Sequence, residues 1–121
     1  MDLLLQRGRE AMEAEDFEAA IEHLTALTDH APDFAEGFNA RATAYFHAEM
    51  YGPSLADIER TLALNPRHYG AMAGLGTIMM ELGQEAKALE AFRKANALNP
   101  HRTDLIEAIK TLGPRYDGVE L

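Results

Sequence analysis

Apolar residues recur along this chain at helical spacing, in runs that stop and restart. Leu3, Leu4 and Ala11, with Arg7 in the same phase, form a first stripe, the polar "AED" interrupts it, and Phe17, Ala20, Ile21, Leu24 and Leu27 form a second. The pattern returns with Phe38, Ala42, Tyr45 and Phe46, a break at "YGP", then Leu55, Ile58, Leu62 and Leu64. It returns again with Met72, Leu75, Gly76 and Met79, a break at "LGQ", then Ala88, Leu89, Phe92 and Ala95. No stretch sustains the alternation of a half-buried strand, so the pattern predicts helices throughout.

Punctuation falls at a fixed interval. Pro32, Pro66 and Pro100 stand 34 residues apart, the last two inside a repeated "ALNP". Proline pushes the residue before it out of the α region, so each of these ends a helix. Gly83 supplies a residue able to take positive φ just past a helix end. Pro53 falls in a first helical turn, where a missing N–H costs little. Each 34-residue unit therefore reads as two antiparallel helices joined by a short turn. After Pro100, Leu105, Ile106, Ile109 and Leu112 form one more stripe, with Gly113 and Pro114 as stop signals.

This pattern resembles the tetratricopeptide repeat (TPR), whose 34-residue motif reads W-x2-L-G-x2-Y…A-x3-F…P. The Trp site holds Leu4, Phe38 and Met72; the Gly site holds Gly8, Ala42 and Gly76; the Tyr site holds Ala11, Tyr45 and Met79. In the second helix the Ala site holds Ala20, Ser54 and Ala88, and the Phe site holds Leu24, Ile58 and Phe92. Arg7 and Arg41 depart from the Leu site, which Leu75 keeps. The small residues are expected to face each other where paired helices cross. The resemblance implies an all-α fold, a right-handed α-solenoid of three TPR helix pairs with a C-terminal capping helix, about seven helices in all. It implies one domain over 1–113, with repeats at about 1–33, 34–67 and 68–101, a cap at about 102–112 and a mobile tail at 114–121.

In this family partner peptides or helices lie against the exposed stripe of each pair's first helix. Carried over, that stripe gives Arg9, Met12 and Glu13; Asn39, Thr43, Phe46 and His47; and Ala73, Thr77 and Met80 as the expected partner-binding groove. Small residues and Met leave adaptable space, and Asn39 offers both a donor and an acceptor. Chaperone-binding members use Lys, Arg and Asn to clamp a terminal carboxylate. Here the matching sites hold Leu5, Arg9, Ala40, Gly70 and Gly74, so one cation stands where a clamp needs several.

Charge narrows the partner. Eleven Lys+Arg against twenty Asp+Glu give a net charge of -9 over 121 residues. Such a surface repels phosphate backbones and anionic membranes, which disfavours nucleic acid. A protein or peptide partner fits better, apolar or amphipathic and basic on one side. A second option is self-assembly, a homo-oligomer stacking through an open N-terminal face marked by Leu3, Leu4 and Leu5.

Candidate chemistry is thin. There is no cysteine, and His23, His30, His47, His68 and His101 form neither H-x-x-x-H nor H-E-x-x-H. They read as surface or helix-end residues. No nucleophile–base set and no phosphate loop is present, so no enzyme activity, metal or cofactor is expected. The N-terminus is no secretory signal, and no uncharged run approaches the ~20 residues that span a bilayer. The chain as given reads as soluble and cytoplasmic, or periplasmic if an N-terminal segment was removed. Composition and motif style point to a bacterial source.

Overall fold

A computed structural model describes residues 2–116. Seven helices follow one another among them: α1 (Asp2–Glu13), α2 (Phe17–His30), α3 (Ala35–His47), α4 (Tyr51–Leu64), α5 (Tyr69–Glu81), α6 (Glu85–Leu98) and α7 (Thr103–Tyr116). No strand occurs among the described residues. The chain divides into two compact units, Met1–Pro66 with α1–α4 and Arg67–Leu121 with α5–α7.

The turns inside the pairs are built alike. Glu15, Glu49 and Gly83 have φ of 60°, 61° and 74°, each 34 residues after the last. At each, two backbone bonds close a Schellman motif: Asp16 N donates to Ala11 O, Met50 N to Tyr45 O and Gln84 N to Met79 O, all at 2.8 Å, and Glu15 N donates to Met12 O, Glu49 N to Phe46 O and Gly83 N to Met80 O at 2.9–3.1 Å. Between pairs, the residue before each proline leaves the helix: φ is -131° at Ala31, -144° at Asn65 and -145° at Asn99. Asp16 caps α2 by accepting from Ala19 N at 3.1 Å, and His68 caps α5 by accepting from Ala71 N through Nδ1 at 3.0 Å.

Three expectations need correcting. "YGP" opens α4 rather than breaking the chain; the turn is Ala48–Met50. α7 runs through Gly113 and Pro114 to Tyr116, so residues 114–116 are helical and 117–121 lie outside the described residues. Tertiary contacts override the local stop signals there. Arg115 Nη1 donates to Glu85 of α6 at 2.9 and 3.0 Å, and Tyr116 Oη donates to the same carboxylate at 3.1 Å.

The third correction concerns the helix crossings. Small residues do meet at one of them, where Ser54 Oγ donates to Ala42 O at 2.7 Å. Gly8 and Gly76 instead face the large residue of the second helix. A Cβ on Gly8 would lie 2.6 Å from Leu24 Cδ2, and one on Gly76 would lie 2.4 Å from the Phe92 ring. In the N-terminal unit Leu24, Leu27, Ala20 and Ala44 form a buried cluster; in the C-terminal unit Phe92, Leu89, Ala88, Ala95, Leu105 and Leu112 do.

Arg41 explains its departure from the Leu site. Its guanidinium grips buried Asp57 with two bonds, Nε to Oδ2 at 2.7 Å and Nη2 to Oδ1 at 2.8 Å. Nη1 also donates to the hydroxyls of Thr28 (3.1 Å) and Thr25 (3.3 Å) on α2. The Phe38 and Tyr45 rings each lie 5.7 Å from the guanidinium carbon. The bond to Asp57 raises the Arg41 pKa above its already high value, outweighing burial. One polar network thus ties α2, α3 and α4 together. In the third repeat the matching positions are Leu75 and Ala91, an apolar pair.

Two outcomes are expected from denaturant unfolding. Gly76→Ala should destabilise by about 1–3 kcal/mol, because the Phe92 ring must move. Arg41→Leu or Asp57→Ala alone should cost about 3–5 kcal/mol, and the double variant less than their sum, because Asp57 without Arg41 keeps only the exposed Arg60, 2.8 Å away, and Arg41 without Asp57 loses its bonded carboxylate. Additive losses in the double variant would refute the coupling.

Candidate functional site

In the N-terminal unit α1 and α3 both lean on α2 and leave a cleft of about 320 Å³ between them. Arg9, Met12 and Glu13 stand on one face of α1 by their helical spacing. Glu36, Asn39, Ala40 and Thr43 do the same on α3, and Leu24 of α2 closes the floor. The cleft therefore gathers Arg9, Met12, Glu13, Asn39 and Thr43 from the groove expected on sequence. Its walls are more apolar than polar.

The electrostatics run negative. Arg9 Nη2 lies 3.6 Å from Glu36 Oε1, so the one cation of the cleft is already opposed by a carboxylate. Glu13 lines the same space. Thr43 Oγ1 donates to the Asn39 carbonyl at 3.2 Å, which fixes its rotamer along the α3 wall. Asn39 itself is half-buried in the wall and brings a donor and an acceptor to it. The Arg9–Glu36 contact joins residues far apart in sequence, and nothing local announces it. Leu24 reads from sequence as core, and it is both core and floor.

The remaining expected residues lie elsewhere. Phe46 and His47 join an aromatic cluster at the end of α3. His47 stacks on Phe17 with centroids 5.5 Å apart, and Phe46 meets His47 edge-on at 5.6 Å and Tyr51 at 5.5 Å. Ala73 packs half-buried against the core of the C-terminal unit. Thr77 is exposed on α5 and donates to the Ala73 carbonyl at 3.2 Å. Met80, 38% exposed, lines a separate cleft of about 420 Å³ among α5, α6 and α7. Of the N-terminal leucines, Leu4 and Leu5 pack on the core cluster and Leu3 is exposed.

Among the described residues no group of three His, Asp or Glu is placed to hold a metal ion, and no helix is long and apolar enough to cross a membrane.

The family model "Tetratricopeptide repeat" matches residues 5–52 and 53–102. This chain belongs to the tetratricopeptide repeat family. A TPR repeat-containing protein of Rhizobium etli is 31% identical over 118 residues, covering 98% of this chain and 58% of that protein. The TPR chain here thus spans a little over half of that relative. Among solved structures, the first TPR of Spaghetti (RPAP3) bound to an HSP90 peptide superposes with a TM-score of 0.89 at 19% identity, covering 93% of this chain and 90% of that one. The TPR2B domain of yeast Sti1 in complex with a Hsp70 peptide gives 0.86 at 18% identity, covering 94% and 96%. At such identities the likeness is one of fold.

One titration reports on the C-terminal unit. The Arg115 hydrogen bond, and then that of Tyr116, hold the Glu85 carboxyl below the ordinary carboxylate range. A depressed carboxylate stabilises the fold above its ordinary value, and that contribution fades as pH falls through the lowered one. Arg115→Ala should move the Glu85 midpoint up toward the ordinary value in a carbon-detected NMR titration. An unmoved midpoint would show that the contact does not form in solution.

Proposed function

We propose that this TPR chain is a protein-interaction module that holds a segment of a partner protein in the cleft between α1 and α3. The observation that carries this reading is the convergence of Arg9, Met12, Glu13, Asn39 and Thr43 on one largely apolar space with Leu24 as its floor. Such a space suits one face of an amphipathic helix or an extended peptide, with Asn39 bonding to backbone and Met12 adapting to shape. The solved TPR domains of similar fold that carry HSP90 and Hsp70 peptides support peptide binding as the general mode.

The partner's chemistry differs from a chaperone tail. A terminal carboxylate needs converging cations, and Arg9 faces Glu36 with Glu13 beside it. With a net charge of -9, the chain favours a segment that is apolar on one side and basic on the other. Binding and orientation, rather than bond-making, is what these side chains offer.

Pull-downs comparing wild type with Asn39→Ala/Thr43→Arg test the assignment. Retained partners should fall by about tenfold, the loss of roughly 1.4 kcal/mol, while the circular dichroism melt stays in place. Undiminished capture by a folded variant would rule out the cleft.

A further inference from the structure

The cleft of the C-terminal unit has α7 as one wall, and the position of α7 in the repeat is informative. It opens at Thr103, 34 residues after Tyr69 opens α5 and 68 after Ala35 opens α3. It therefore lies in the register of a first helix of a fourth repeat, although the family match ends at residue 102.

The same register extends to the cleft itself. Glu107, Ala108 and Thr111 stand 68 residues after Asn39, Ala40 and Thr43; Met80 stands 68 after Met12, and Phe92 68 after Leu24. Wall, opposite wall and floor are thus built from equivalent positions in both units. The local bonding repeats as well: Thr111 Oγ1 donates to the Glu107 carbonyl at 3.0 Å, as Thr43 does to Asn39.

The chemistry is not repeated. Glu107 replaces Asn39, and Thr77 stands at the position of Arg9. The cation at this cleft is Arg115, and it is bonded to Glu85. The Glu107 carboxylate is exposed and makes no side-chain bond or ion pair among the described residues. An apolar floor of Phe92 and Leu112 therefore lies beside an uncompensated negative charge.

We propose that α7 forms a second docking cleft, distinct in residues from the first, which takes a partner-protein segment carrying an apolar side chain next to a lysine or arginine. The apolar side chain enters toward Phe92 and Leu112 under adaptable Met80, and the cation meets Glu107. Anionic segments are repelled. A second copy of this chain, with its excess of acidic residues, matches the charge poorly.

The test is an NMR titration of the isotope-labelled full chain with a short capped Leu/Lys peptide and its Leu/Glu counterpart. The Leu/Lys peptide should shift the amides of Met80, Ala108 and Thr111, and the Leu/Glu peptide should not. Glu107→Lys should weaken this binding by about tenfold, and Thr111→Arg should block it. Both positions are exposed, and melts confirm the fold. The amides of Asn39 and Thr43 report the first cleft separately. Shifts confined to those residues, equal binding of both peptides, or undiminished binding by Glu107→Lys would overturn the proposal. Concentration-dependent shifts at Ala108 without peptide would assign the cleft to a second copy and overturn it too.

Discussion

Each closely packed helix pair depends on a side chain of one helix entering space that the other leaves empty. At Gly8 and Gly76 the missing Cβ admits Leu24 and Phe92 almost to backbone distance. That approach sets how near the two helices lie, and so what their connecting turn must span. It also decides what stays outside. Once Leu24 and Phe92 are committed to the crossing, each also lies beneath a cleft as its floor. Core packing and binding surface are therefore two sides of one contact, and a change in the crossing would alter the cleft floor with it.

The second pair in the chain solves the same problem differently. Ala42 stands at the glycine site there, and Ser54 ties the crossing through a hydrogen bond to the Ala42 carbonyl. Beside it, a position that elsewhere holds Leu75 carries Arg41, paired to an aspartate that water does not reach. A buried ion pair is weak evidence of added stability, because desolvation offsets attraction. What it does supply is directionality: two threonines on α2 must meet the guanidinium, so α2 and α3 have one rotational setting. An all-apolar seam tolerates sliding far better.

Much of the fold was legible because it rests on period. Spacing alone located the helices, the proline stops and the small-residue sites, since each follows from local backbone preference or from helical geometry. What escaped notice depends on contacts across sequence. Arg41 looked like a departure from a motif because Asp57 lies on another helix. Gly113 and Pro114 looked like an ending because their neighbours' bonds to Glu85 cannot be seen locally. The groove residues divided along the same line. Arg9, Met12, Asn39 and Thr43 follow from helix phase, whereas Phe46 and His47 share that phase but are drawn aside by Phe17 and Tyr51.

The left-handed turn residues have a consequence for how such a chain changes over time. Glycine occupies that position in the third pair and glutamate in the first two. A non-glycine residue there costs about 1–2 kcal/mol of backbone energy, yet the flanking hydrogen bonds close all three turns in the same way. Geometry at these corners is dictated from both sides, so residue choice there adjusts stability without redirecting the chain. The corners act as trim tabs: sites where drift can raise or lower the melting point while the surfaces that meet a partner stay in place.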